Sequence, residues 1–247
     1  MGVLRPATPL NLINRINLIN RLNLATLAML VTLIAVAFAA SACDPAPTTP
    51  LAVAAVSGTE ADVSRLLAAG ARPDDTDVVL TPLMSAARRG EVGIMRALID
   101  AGADVNRHDT RNHWTPLLHA LHKEQGGAAA LLLERGADPN EAGGSGETPL
   151  MLAALDNDTA TVSALLAHGA RADAKTLSGE TALDIAVAGG AFADLTDRPL
   201  LGGCYPETVK LLVAADRTVR VRQGFGPLSA RWWAEMKRCT QTLALLR

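Results

Sequence analysis

The residues that could do chemistry are few: Cys43, Cys204 and Cys239, and a group made of His108, Asp109, His113, His119 and His122. Either of the later cysteines would be a nucleophile if a base stood beside it. Neither lies in a recognisable catalytic motif, and the chain has no glycine-rich phosphate loop, serine elbow or paired-cysteine zinc pattern. His119 and His122 stand at i and i+3, so on a helix they would share a face and could share a metal ion. The competing use of that spacing is structural, with His119 packed between elements and His122 at the surface, and it is the one expected here. The sequence therefore predicts no catalytic residue, no cofactor and no resident metal.

What must position these side chains is a repeating pattern, clearest from Thr81 to Asn106. Thr81 is a natural N-cap, and Pro82 suits the first helical position, where a missing N–H costs nothing. Leu83 to Arg89 makes about two turns before Gly90, and Val92 to Asp100 makes a second helix closed by Gly102. Isolated helices below roughly 12 to 15 residues are marginal in water. Leu83, Ala86, Met95, Leu98 and Ile99 therefore need a partner surface, and neighbouring copies of the same stretch supply it. Thr-Pro-Leu recurs at Thr49, Thr81, Thr115 and Thr148, then as Thr181-Ala182-Leu183, at spacings of 32, 34, 33 and 33. Gly70, Gly102, Gly136 and Gly169 each follow their Thr by 21 residues. Two landmarks in one register exclude coincidence.

This pattern resembles the ankyrin repeat, a unit of about 33 residues with a turn, two helices and a Thr-Pro-Leu-His opening. Gly102-Ala103-Asp104-Val105-Asn106 and Gly136-Ala137-Asp138-Pro139-Asn140 match the family's loop motif as well. The resemblance covers roughly residues 48–216 and implies an all-α solenoid of about five stacked helix-turn-helix units. The family's His is replaced by Ala52, Met84, Leu118, Met151 and Asp184, which implies that its hydrogen bonding is missing. In the fifth unit about 14 extra residues separate the paired helices, an insertion at about 190–205 with Pro199, Gly202, Gly203 and Cys204, followed by Pro206. The resemblance also implies that turn tips and first helices form a concave surface for a protein partner. Mapped onto this chain, that surface includes Asp77, Val78, Leu80, Arg88 and Arg89 in the second unit, and Arg111, Asn112, Trp114, His122 and Lys123 in the third. Ser145, Glu147, Leu155, Asp156 and Glu180 follow, so the face is expected to be basic and aromatic early and acidic later. Trp114, just before Thr115, is expected at its centre, since Trp and Arg dominate interface hot spots.

Before the repeats, Arg5, Arg15 and Arg21 precede the uncharged run Leu24–Ala42, which ends Ala40-Ser41-Ala42-Cys43. This has the layout of a secretory signal, residues 1–42. Small residues directly before Cys43 resemble a bacterial lipoprotein box, which implies a Cys lipidated after cleavage, with 43–48 as a short tether. Ordinary cleavage after Ala42 and an uncleaved anchor remain open, and all three outcomes put the repeats on the periplasmic side. Asp44 after a lipidated Cys43 would resemble a retention signal for the inner membrane. The tether Asp44–Thr48 spans at most about 18 Å, at roughly 3.6 Å per residue.

Charge is unevenly spread. Residues 44–216 carry 13 basic and 24 acidic groups, whereas 217–247 carry 7 basic and 1 acidic. The basic end, with Arg217, Arg220, Arg222, Arg231, Lys237 and Arg238, reads as a solvated cap, with an acidic partner or anionic headgroups as the alternative. Nucleic acid is a poor partner for an acidic, exported chain. Within that end Ser229 can cap a helix, and Trp232, Met236, Cys239, Leu243 and Leu246 follow at steps of 4, 3, 4 and 3, one apolar stripe. A single capping helix over the last repeat is expected from 217–247. With Cys43 assigned to lipid, export leaves Cys204 and Cys239 as a candidate disulfide.

These readings combine into a non-enzymatic, monomeric, membrane-tethered binding protein of the bacterial envelope. It would scaffold, protect or inhibit an unidentified extracytoplasmic protein, through Arg88, Arg89, Arg111, Trp114, His122 and Lys123. The alternative is an immunity protein against a toxin delivered to the periplasm, and a metal-binding protein or enzyme comes third.

Overall fold

A computed structural model describes residues 49–75, 79–188, 204–216, 230–236 and 238–246, all within one unit, Pro47–Arg247. The N-terminal segment with Cys43, the tip residues Asp77 and Val78, most of the insertion and residues 217–229 lie outside the described residues, as do the side chains of Trp232 and Met236.

Every described element is helical. The first unit is α1 (Pro50–Ser57) and α2 (Glu60–Ala68), and the second α3 (Pro82–Arg89) and α4 (Val92–Asp100). The third is α5 (Pro116–His122) and α6 (Gly126–Glu134), and the fourth α7 (Pro149–Leu155) and α8 (Thr159–Ala167). The fifth is α9 (Ala182–Ala188) and α10 (Pro206–Ala215), and α11 (Ala230–Met236) and α12 (Thr240–Leu245) end the chain.

Each first helix begins where its threonine does. The Thr49, Thr81, Thr115, Thr148 and Thr181 hydroxyl oxygens accept from the N–H groups of Ala52, Met84, Leu118, Met151 and Asp184 at 3.1–3.4 Å, so each caps an otherwise orphan donor. The residues standing in for the family's His also reach back. The Met84 and Met151 sulfurs lie 3.3 and 3.4 Å from the N–H groups of Thr81 and Thr148. Asp184 accepts from the Thr181 N–H and hydroxyl at 2.9 and 2.7 Å. The reciprocal hydrogen bonding expected to be missing is thus remade with other atoms in three of the units.

First helices stack on first helices, α1 on α3 through to α9 on α11, and second helices stack likewise, α2 on α4 through to α10 on α12. The core follows the repeat register. Leu83, Leu117, Leu150 and Leu183 are at most 1% exposed, and Val63, Met95, Ala129, Val162 and Val209 are fully buried. Burying one such aliphatic side chain contributes about 1.5–3 kcal/mol, and only the adjacent unit can bury it.

The cap expected as one helix is two. Arg238 takes φ 55°, and the Cys239 N–H reaches the Ala234 carbonyl at 2.9 Å, the same closure that Glu91 N–H makes to Ala86 between α3 and α4. The apolar steps of 4 and 3 run through the turn without a Gly or Pro to mark it. α11 and α12 are therefore a sixth, degenerate layer in repeat register. Besides that stacking, among the described residues the Ala230 N–H donates to the second Asp184 oxygen at 2.9 Å, and Cys204 is joined to Cys239 by a disulfide with a Cα separation of 5.7 Å, within the usual range.

Candidate protein-interaction face

Two sets of loops connect the units. On one side the Asn of Gly-Ala-Asp-x-Asn joins neighbours: Asn106 donates to the Gly136 carbonyl at 3.3 Å and accepts from the Asp138 N–H at 2.8 Å. Asn140 does the same with Gly169 and Arg171 at 3.1 and 2.8 Å. A primary amide carries both a donor and an acceptor, so one side chain can tie both backbone groups.

On the other side stand tight hairpins that run into the next first helix. Asp109 N–H to Trp114 carbonyl, Gly143 to Glu147 and Thr176 to Glu180, each 2.9 Å, close three of them. Their tips are joined in series. The Gly144 N–H donates to the Asn112 carbonyl at 2.7 Å, and the Leu177 N–H to the Ser145 carbonyl at 2.9 Å. Backbone hydrogen bonds thus hold the tips of three units in one row.

Beneath that row lies a buried polar group. One Asp109 oxygen accepts from the Arg111 and Asn112 N–H groups at 2.9 and 2.7 Å, and the other meets His119 Nε2 at 2.8 Å. Burial raises the carboxyl pKa, but the bonds from His119 and the two N–H groups outweigh it and hold Asp109 at about 2. An ionised carboxylate there requires the proton on His119 Nε2. The Trp114 ring meets His119 and His122 edge-on, at centroid distances of 5.4 and 5.0 Å, and its indole N–H donates to Glu147 in the next hairpin. Glu147 also accepts from the Ser145 N–H at 2.9 Å. Gly143 is required by this packing, since a Cβ there would stand 2.5 Å from the indole Cδ1.

The site residues read from the sequence divide accordingly. Arg89, Arg111 and Lys123 are exposed, and Arg88 and His122 are half-buried. Arg89 also lies 3.5 Å from Glu91. Trp114 is only 7% exposed: it was expected to stand out as an anchor, and instead it lies beneath the tips and ties one hairpin to the next. The acidic later tips are likewise corrected, because Glu147 and Glu180 are 3% and 6% exposed and hydrogen-bonded within the hairpins. His119 is packed and paired with Asp109, and no group of three His, Cys, Asp or Glu among the described residues is arranged to hold a metal ion. Sequence reasoning missed Leu177, 83% exposed at the fifth unit's tip. It also missed the signal in Gly146-Glu147-Thr148 and Gly179-Glu180-Thr181, where the acid recurs at one register position, as residues with a structural task do.

A family model described as Ankyrin repeats (3 copies) matches residues 51–142, and another, Ankyrin repeats (many copies), matches residues 132–186. The chain belongs to the ankyrin-repeat family. No curated protein matches it. Ankyrin repeats are protein-interaction modules, generally without enzymatic activity, and which partner they take is set by exposed residues and not by the fold.

Proposed function

We propose that this ankyrin-repeat chain is a binding protein tethered in the bacterial cell envelope, where it scaffolds, protects or inhibits one extracytoplasmic protein. The observation that carries the binding role is the row of hydrogen-bonded hairpin tips with Arg111 exposed on it, together with exposed Arg89 and Lys123 at the C-terminal ends of α3 and α5. Such a row is held in one arrangement before a partner arrives, which lowers the ordering cost of binding. The envelope setting is supported by the Arg-led apolar run ending at Cys43 and by the Cys204–Cys239 disulfide, since disulfides persist in oxidising compartments.

Lipidation at Cys43 is tested by growing cells with labelled fatty acid. Label is expected in the wild-type chain and absent from Cys43→Ser, which should leave the membrane fraction; unchanged labelling and partition in the variant would refute the anchor. The binding role is tested by crosslinking in native membranes and affinity recovery. One extracytoplasmic protein should be recovered, and its yield should fall with Arg89→Ala, Arg111→Ala and Lys123→Ala combined.

A further inference from the structure

The cap layer is held by a covalent bond as well as by packing. α11 has seven residues and α12 six, too short to stay helical without a neighbour, so the cap keeps its shape only while it lies on α9 and α10. One feature of that docked state favours opening. The Thr242 hydroxyl is buried with no hydrogen-bond partner among the described residues, and such a group regains water when its surroundings open. Apolar contact and the disulfide act the other way. Cys204, two residues ahead of α10, is joined to Cys239, the residue before α12, and both are half-buried. The same end of the stack is linked to the hairpin row. Asp184 takes the Ala230 N–H of the cap on one oxygen and, on the other, the Thr181 N–H and hydroxyl at 2.9 and 2.7 Å. Thr181 follows Glu180, which closes the fifth unit's hairpin with Thr176, and the Leu177 N–H of that tip joins the Ser145 carbonyl. One carboxylate thus stands between the cap and the last of the three tips.

We infer that the Cys204–Cys239 disulfide is a redox-sensitive latch: oxidised, it keeps the cap docked, and reduced, it lets α11 and α12 leave while the earlier repeats stay folded. The co-reactant is a dithiol protein of the same compartment. One donor thiolate attacks a sulfur of the latch, forming a mixed disulfide and breaking the Cys204–Cys239 bond, and the sulfur set free takes up a proton. The donor's second thiolate then attacks the mixed disulfide. The donor leaves oxidised, as a disulfide, and both latch cysteines end as thiols, so two electrons and two protons have passed to them. The cap is then tied to α10 only through residues 217–229, and the pinning of α12 beside the start of α10 is lost. Nearest-neighbour stacking confines the opening to this end. With the cap gone, water replaces the Ala230 N–H on Asp184, which loosens the base of the fifth hairpin. Resting on the interaction-module reading, the redox state therefore reaches the end of the partner-binding face.

Hydrogen exchange of the full-length protein, with and without reduced thioredoxin as the dithiol, tests this. With thioredoxin, alkylation should find Cys204 and Cys239 free, and amides of the cap should lose protection about a hundredfold or more. The Leu177 amide should exchange severalfold faster, α3 to α6 should be unchanged, and reoxidation should restore the starting pattern. Thr242→Val puts a methyl group where the orphan hydroxyl stands, and in the reduced protein it should slow exchange of the cap about tenfold. The latch is refuted if thioredoxin leaves the disulfide intact, if the cap stays protected with both thiols free, or if α3 to α6 open with it. Unchanged or faster exchange in reduced Thr242→Val would overturn the part given to that hydroxyl, and an unchanged Leu177 amide would overturn the link to the tips. Each of these failures leaves the interaction module standing, since crosslinking in native membranes tests that separately.

Discussion

Asp109 shows how one buried side chain serves the surface above it. Its carboxylate fixes the backbone of its own hairpin and orients His119 on α5, which in turn packs against Trp114. Because its folded pKa of about 2 lies below the ordinary 3.8, the ionised form stabilises the fold. That contribution is complete above about pH 4, disappears as pH falls through 2, and amounts to roughly 2 kcal/mol. In Asp109→Asn, acid titration of stability should be flatter between pH 4 and 2. At neutral pH the variant should be less stable by about 3 kcal/mol, because His119 is left without its buried partner. Urea denaturation across that pH range measures both. The types and spacing of these residues were legible in the sequence, but their directions were not. Whether Trp114 faces solvent depends on Gly143 and Glu147, a full repeat away in the chain, and periodicity within one repeat carries no such information.

Helix boundaries were legible wherever a residue type enforces them. Gly90 takes φ 71° between α3 and α4, and Thr-Pro marks each first helix through α7. Nine residues after Thr115 and Thr148 the same turn is made by Glu124 at φ 57° and Asn157 at φ 56°, with no punctuating residue at the former. Asn tolerates the left-handed region, whereas Glu pays about 1 kcal/mol or more for it. Glu124→Gly is therefore expected to raise stability by up to about 1 kcal/mol, less the extra chain entropy of Gly in the unfolded state. No change in the midpoint of urea unfolding, or a lower one, would show that the Glu124 side chain makes contacts that offset its backbone. The unmarked turn at Arg238 is the same effect at the end of the chain, and it is why a helical pair there read as one helix. The repeat ruler locates such turns when composition does not.

At the scale of the molecule, the stack is a series of nearest-neighbour interfaces, so stability is local and its ends are the weak points. The disulfide closes a loop of 35 residues in sequence separation between the last repeat and its cap, and chain-entropy estimates for that length give about 3–4 kcal/mol. Reduction should act on one end only. Amides in α9 to α12 are expected to lose hydrogen-exchange protection in dithiothreitol, and those in α3 to α6 to keep it; uniform loss would mean that the stack unfolds as one body. The five-unit stack and this cysteine pair were legible because repeats and paired thiols are written in the chain. The sixth layer was not, because its threonine, proline and leucine landmarks have been lost.

The Asn bridges have a consequence for the length of the array. Asn106 and Asn140 both give and accept hydrogen bonds across a unit boundary, whereas at the equivalent place in the first unit Asp74 only accepts, from the Asp104 N–H at 3.1 Å. The equivalent residue of the fourth unit is Asp173, and a carboxylate has no hydrogen to offer. A tandem copy of residues 115–147 inserted after the third unit would find matching groups on both sides. The array can grow in its middle without inventing a contact.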